Sequence, residues 1–306
     1  MGGNIFYFNW EPQLMIWLQQ VLGDFGAKVA SIVSAFGEEM LMVGIMGFIY
    51  WCIDKKWGLY LGINLTASVT WNPMVKNIAL RPRPYMVHDG VKCLKQVDTS
   101  GDVMDPLVQG WSFPSGHSCN AATVYGSLAY YKRTKALIAI AVVIPLLVGI
   151  SRFALGVHYP TDVLAGWALG FASVLLVSWM QKAIKKDWVL YLILLATAVP
   201  GLFYCTSTDY FSSLGMMIGT SAGAMVETRY IHFENTKSIP RMILRTIIGI
   251  VLYLGLNTVL KMPFSKEFLN SGTAAAHAVR VARYAFILFV EVALYPACFR
   301  LFRKKA

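Results

Sequence analysis

Long apolar runs separated by short polar clusters occupy most of this chain. They fall at about 37–54, 57–80, 115–132, 135–154, 160–181, 188–205, 211–227, 241–260 and 279–301. A helix crossing the hydrocarbon core of a bilayer needs roughly 20 predominantly apolar residues, so each run predicts a spanning helix. Most runs are apolar all round the helical circumference rather than along one stripe, which excludes ordinary amphipathic surface helices. The stretch 9–34 differs. Trp10, Leu14, Ile16, Trp17, Leu18, Val21 and Leu22 are interrupted there by polar residues, the pattern of a helix lying in the membrane interface, with a further span as the alternative. The connection 81–114 is long and rich in Asp, Pro, Gly, Lys and Ser, and loops of that length in compact proteins are often functional.

Composition agrees. Of 306 residues 57% are hydrophobic and 14% charged, and mean hydropathy is +0.54. Soluble domains are nearer 45–50% apolar and about 25% charged. The class is an all-α, polytopic transmembrane helical bundle. A net charge of +11 would suggest nucleic acid in a soluble protein; here the positions of the cations give another account. If the spans alternate, one side receives Lys55 and Lys56, then Lys132, Arg133 and Lys135, then Lys182, Lys185 and Lys186. Arg229, Lys237, Arg241 and finally Arg303, Lys304 and Lys305 follow. Short loops rich in Lys and Arg stay in the cytoplasm. The charge is thereby explained without a nucleic-acid partner, and the 81–114 loop and the 151–160 turn fall on the opposite face. The N-terminal sequence carries neither a signal-peptide pattern nor the Ser/Thr of a myristoylation motif. Cys52, Cys93, Cys119, Cys205 and Cys298 show no metal-ligand spacing; a Cys93–Cys205 bridge requires both on the oxidising side.

Three polar islands on that opposite face are left unexplained by topology. In KNIALRPRP, Lys76 sits near an apolar helix end ahead of Arg81 and Arg83. Cations at membrane depth are costly, so they snorkel or serve a function. In FPSGHS, Pro114 and Ser115 mark a helix start, Gly116 lets a ligand approach the backbone, and His117 follows. A helix N-terminus with free N–H groups is an anion site, although an ordinary capped helix reads the same way. In SRFALGVHYPTD, Arg152 closes one run, and His158 and Asp162 lie four apart across the start of the next. A carboxylate there can hold the imidazole and decide which nitrogen is free, or it can make a local capping contact. Together the islands supply two histidines, a carboxylate, several cations and a helix N-terminus, a set suited to holding a phosphate and breaking a bond to it.

In order and spacing these islands resemble the signature of the type 2 phosphatidic acid phosphatase superfamily: K-x6-RP, then PSGH, then SR-x5-H-x3-D. Lys76 precedes Arg83-Pro84 by six residues, Pro114-Ser115-Gly116-His117 matches, and Ser151-Arg152 leads to His158 and Asp162 at the family spacing. The resemblance covers about 37–205. It implies that His158 is the nucleophile forming a phosphohistidine, Asp162 its orienting partner, and His117 the acid for the leaving alcohol and later the base for water. Lys76, Arg83 and Arg152 would clamp the phosphate, with Ser115 and Gly116 completing the cradle. No metal and no cofactor is implied. Arg81 has no place in the signature and is left as a headgroup or interface contact. The implied organisation is an N-terminal interfacial segment over 1–36, a six-helix phosphatase core over 37–205 and about three additional spans over 206–306.

The expected activity is hydrolysis of a lipid phosphate, monoester or diphosphate, at the non-cytoplasmic face of the bilayer. Phosphatidate, phosphatidylglycerol phosphate, undecaprenyl diphosphate and sphingoid-base phosphates fit equally. A bacterial inner membrane with the site facing the periplasm is the expected location, an endoplasmic reticulum with a luminal site the alternative. A lipid-phosphate transporter or binding protein, a glucose-6-phosphatase-like enzyme and a phosphotransferase are the competing functions; the pairing of His117 with His158 and Asp162 favours an enzyme over a binder. Beyond the core, Gly215, Gly219 and Gly223 are spaced four apart, which permits close packing within the chain, a homodimer interface or a groove for a lipid tail. Glu227 and Arg229 suggest an interface pair, and His277, Arg280 and Arg283 an extension of the headgroup site or a set of snorkelling groups. Glu291 stands in an apolar run with Arg245 or Lys261 as its expected partner.

Overall fold

The structure, a computed structural model, describes residues 3–99 and 101–299. Every regular element among them is helical. In chain order these are α1 (Trp10–Ser34), α2 (Glu39–Phe48, continued by a π turn Ile49–Ile53), α3 (Lys55–Ala79) and α4 (Gly116–Lys132). Then come α5 (Lys135–Ala154), α6 (Pro160–Ala183), α7 (Asp187–Ala198) and α8 (Thr208–Val226). The last two long helices are α9 (Ile239–Val259) and α10 (Ala274–Phe289, continued by a π turn Val290–Leu294). Each expected span thus contains a helix, and the 9–34 stretch is α1. The tail cations Arg303, Lys304 and Lys305, and the end of the 279–301 run, lie outside the described residues.

Fewer helices than expected satisfy both length and hydropathy. Among the described residues α5, α6 and α9 do, with mean hydropathy 2.4, 1.9 and 1.8, and a bent pair, Trp10–Gly37 with Glu39–Ile53, adds a broken span angled by 48°. Some of the others are short: α4, α7 and α10 run for 17, 12 and 16 residues. Helices α3, α4 and α8 carry Asn64, Ser68, Asn72, Ser118, Ser127 and Thr220 as buried polar residues, which lower the average. Some satisfy themselves locally: Thr66 Oγ1 donates to the Gly62 carbonyl at 2.9 Å and Thr70 Oγ1 to the Thr66 carbonyl at 2.7 Å, bonds available to hydroxyls inside a helix. Outward-facing apolar residues are plentiful. Only 11% of the α9 span is buried, and Leu244, Ile247 and Val251 are exposed, a surface suited to lipid.

The chain packs as two compact units, each discontinuous in sequence: Met1–Met42 with Trp71–Leu175, and Val43–Thr70 with Leu176–Ala306. In the first, α5 packs against α4 and α1. Met15, Tyr85, Leu155, Val157 and Tyr159 form an apolar cluster with Ile16 and Leu22 around it. The turn into α6 passes through Gly156 at φ +79°, where a side chain would strike the Lys92 carbonyl. Gln19 of α1 donates to that carbonyl at 2.8 Å and to Ala154 O at 3.2 Å, and Leu94 N–H donates to Leu155 O at 3.0 Å. The long 81–114 connection is therefore tied down at the turn that carries His158.

In the second unit the glycine stripe of α8 is filled by α10. Side chains at Gly215, Gly219 and Gly223 would meet Val281, Ala285 and Val292, so the close-packing reading of the stripe is the one realised. Two expectations are corrected. Glu227 pairs with Lys55 at 2.8 Å, not with Arg229, which lies over the Tyr230 ring. Arg245 donates to the carbonyls of Trp51 (2.8 Å) and Glu234 (3.1 Å), while both Glu291 carboxyl oxygens are buried without a hydrogen-bond partner. The His277 ring stacks on Phe211 with centroids 3.7 Å apart. All five cysteines are free thiols, so Cys93 and Cys205 are not bridged.

Candidate active site

All three islands converge in the first unit. Lys76 occupies the last turn of α3 and Arg152 the last turn of α5. Arg83 leads a short helical turn, Pro84–Val87. Ser115 is the N-cap of α4, accepting from the Ser118 amide at 3.4 Å and the Ser118 hydroxyl at 2.9 Å. His158 lies in the α5–α6 turn and Asp162 in the first turn of α6. The Ser115 amide donates to the Asp162 carbonyl at 2.9 Å, so the start of α4 is locked to the start of α6.

His158 is 2% exposed. Its Nδ1 is 3.5 Å from Asp162 Oδ2 and 3.4 Å from Ser112 Oγ, and its Nε2 is 3.4 Å from Arg83 Nη1. Two acceptors beside Nδ1 favour the tautomer protonated there, leaving the Nε2 lone pair turned toward the cations. Burial first, then Arg83, Arg152 and Lys76, hold the His158 ring well below the ordinary imidazole range. That direction favours the uncharged imidazole, with Nε2 facing Arg83, the form in which a histidine can act as a nucleophile.

The cations are anchored by neutral groups. The Arg83 Nη2 and Nε donate to the Gln109 carbonyl at 2.7 and 3.0 Å, Nε also to Gly110 O at 3.0 Å, and Nη1 to Val157 O at 3.0 Å. Lys76 donates to Trp111 O at 2.8 Å. Arg152, 2% exposed, donates to the Ser34 hydroxyl, and its Nε is buried without a partner. These carbonyls and the Ser34 hydroxyl orient the cations, which together line a pocket suited to an anion. His117, in the first turn of α4, lies within electrostatic reach of Arg152, His158, Lys95 and Arg83. Among the described residues no cluster of His, Cys, Asp and Glu has the grouping of a metal site.

One sequence expectation fails here. Arg81 is not an outward headgroup contact. It is 1% exposed, with Nη1 2.6 Å from Asp162 Oδ1 and Nη2 3.3 Å from Glu11 Oε2. An arginine this deep needs carboxylates, and two reach it. Sequence reading missed five contributors. Glu11 sits in the segment read as interfacial. Ser112 donates to Asp162 in a short hydrogen bond. Gln109 binds Arg83 through its carbonyl, and its side chain braces Val97 and Asp98. Ser34 holds Arg152. Asn72, 4% exposed, stands beside Gly116 with its Nδ2 unpartnered. Asn72 had a signal, since it precedes Lys76 by four and shares its helix face; the others sit in loops or distant segments with none.

The sequence matches the PAP2 superfamily profile over residues 57–186, and the profile described as PAP2 superfamily phosphatase, transmembrane extension, over 211–306. It is 48% identical over 92 residues to phosphatidylglycerophosphatase B of Bacillus subtilis, an alignment covering 26% of this chain and 45% of that protein. It is 26% identical over 164 residues to an undecaprenyl-diphosphatase of Sulfolobus acidocaldarius, covering 53% and 73%. Among solved structures, a transmembrane PAP2-type phosphatidylglycerolphosphate phosphatase from Bacillus subtilis aligns with TM-score 0.45 and 27% identity over 59% of this chain and 90% of that one.

Proposed function

We propose that this chain, an integral membrane protein of the PAP2 superfamily carrying that family's transmembrane extension, is a phosphatase acting on a lipid phosphate through a phosphohistidine at His158. The observation that carries the reading is His158 itself: buried, favoured in its uncharged form, fixed at Nδ1 and presenting Nε2 to Arg83. The names of the relatives point the same way, since both act on lipid-borne phosphates.

The substrate phosphoryl group sits among Lys76, Arg83 and Arg152, with the Ser115 hydroxyl, the Gly116 N–H and the Asn72 amide as neutral donors. His158 Nε2 attacks phosphorus, and the bond from phosphorus to the leaving oxygen breaks. His117, protonated because the bound phosphate supplies negative charge beside it, gives its proton to that oxygen. Water then attacks phosphorus while His117 takes its proton, the Nε2–P bond breaks, and inorganic phosphate leaves. Asp162 accepts from Nδ1–H throughout and stabilises the positive charge the ring acquires. Because charge moves onto groups already oriented, the work is electrostatic and positional. The site faces the non-cytoplasmic side, on the strength of the Lys and Arg bias of the opposite loops. An amphiphile fits such a site, with its tail in lipid and its headgroup among the cations.

Phosphate release by the purified protein in detergent tests this, across lipid monophosphates, lipid diphosphates and glucose 6-phosphate, with His158→Ala alongside. Release that vanishes in the variant is expected. An active His158→Ala protein, or a folded wild type that binds lipid phosphate and releases none, overturns the reading.

A further inference from the structure

The first arginine of RPRP lies outside the family signature, yet it is among the most buried large side chains in the molecule. The Arg81 guanidinium is clamped from every side. Tyr159 lies 3.8 Å from it and Phe6 4.5 Å on ring faces. Its Nη1 donates to Thr161 Oγ1 at 2.8 Å as well as to Asp162. Its own carbonyl accepts from Ser112 N–H at 2.7 Å, and Ser112 donates in turn to Asp162. Glu11, 0% exposed, is fixed just as fully: Oε1 accepts from the Thr161 amide at 2.9 Å and hydroxyl at 2.7 Å, and Oε2 from the Phe8 amide at 2.9 Å.

We infer that Arg81 and Glu11 are positioning residues for catalysis, which together hold Asp162 ionised and aimed at His158 without cancelling its charge. The inference rests on the function proposed above. Arg81 meets two carboxylates, so its single positive charge is shared between Asp162 and Glu11. With Arg81 and Asp162 alone the pair would be neutral, and Asp162 could offer His158 little. With the carboxylates alone, two buried negative charges would force one to take a proton. Three groups in this order leave a carboxylate whose charge is available to the His158 Nδ1–H as the ring becomes positive. Phe6, Phe8 and Glu11 belong to the N-terminal stretch, so that stretch helps to place Arg81.

Charge-changing near-isosteres separate this role from simple support. Arg81→Gln should lower kcat by about 10²-fold, the scale of a misplaced catalytic group, with little change in KM. The acid limb of its pH–rate profile should move to higher pH, because two carboxyls now lack their cation. Glu11→Gln should cost less, roughly tenfold, and move that limb the other way or leave it in place, because Arg81 then serves Asp162 alone. The double variant should recover part of the Arg81→Gln loss, since removing the surplus carboxylate relieves the imbalance, a coupling that independent structural damage does not produce. The charged and titratable groups facing Asp162 are Arg81, Lys76, His158 and Tyr159, with Glu11 acting through Arg81, so Lys76 and Tyr159 stay intact throughout.

Nitrogen-15 histidine spectra of the protein in detergent supply a readout that needs no turnover. The Nδ1–H tautomer of His158, assigned by its disappearance in His158→Ala, should dominate in the wild type and be lost or mixed in Arg81→Gln. If Arg81→Gln does not survive purification, Glu11→Gln and Arg81→Lys carry the same comparison. Unchanged kcat, unchanged limb and an unchanged His158 tautomer in the folded variants overturn the inference. A wild type without phosphatase activity but with the tautomer response instead defeats the proposed reaction and leaves the positioning in place.

Discussion

The two units treat buried charge in opposite ways. In the first, Arg81, Arg83, Arg152, His158, Asp162 and Glu11 are all nearly or wholly buried, and each has specific hydrogen bonds or an ion pair. In the second, Glu227 is paired with a partly exposed Lys55, Glu291 is buried with both carboxyl oxygens unpartnered, and the close fit of α8 to α10 depends on glycines. Burying a charge is costly unless it is paired or hydrogen-bonded. The first unit gathers its buried charges into one connected network, whereas Glu291 is a lone carboxyl in an apolar helix that the fold tolerates. Removing the groups of the first unit that meet the phosphate should cost chemistry more than stability; disturbing the packing of the second unit should do the reverse.

The largest effect expected is that of His158→Ala. Turnover should fall by at least about 10³-fold, as when a nucleophile is removed from a preorganised site, with the thermal midpoint in detergent close to wild type. Comparable losses of turnover and folded protein would erase the contrast between the units. Arg83→Gln follows, with kcat/KM lowered by roughly 10²–10³-fold, the cost of losing a charge-stabilising donor. It also carries a pH signature. Arg83 is the largest charged influence holding the His158 ring down. Its removal makes protonation easier, the neutral fraction at a given pH falls, and the acid limb of kcat/KM should move up in pH. In the wild type that limb should lie below the ordinary imidazole range; a limb there unaffected by Arg83→Gln would remove His158 as its source.

Gly219→Val tests the other region. A side chain at that position runs into the Ala285 backbone, and overpacking of this kind costs about 1–3 kcal/mol. A lower thermal midpoint is expected, with the specific activity of the surviving folded protein unchanged. The smallest effect is assigned to Glu291→Leu. The carboxyl has no partner to lose, so an apolar replacement should leave stability equal or higher and turnover intact. A clear loss of activity in that variant would give Glu291 a role and break the comparison.

The signature residues were legible because each island is local. Lys76 to Arg83 spans the end of one helix and the turn after it, Ser115 to His117 one cap, and Arg152 to Asp162 one helix–turn–helix junction. Their spacing survives in one dimension because the backbone between them is short. Glu11 and Arg81 are separated by 70 residues, and Ser34 and Arg152 by 118, so no local pattern announces either pair. Arg81 was misjudged for that reason: at a predicted membrane edge an arginine with no visible carboxylate reads as surface. The N-terminal stretch was judged by its polar interruptions, and one of those interruptions, Glu11, is where it joins the site.

What the sequence determined alone is the membrane class, the positions of the helices and the three-part family signature, since hydropathy and motif spacing are properties of neighbours along the chain. Polar residues on α3, α4 and α8 that are buried inside the protein look the same in sequence as polar residues facing water. Only the tertiary structure decided which charges neutralise one another, which nitrogen of His158 is free and what fills the glycine stripe. Those depend on distances between segments far apart in the chain, and in a low-dielectric interior a few ångströms settle whether a charge is cancelled, held or left to act.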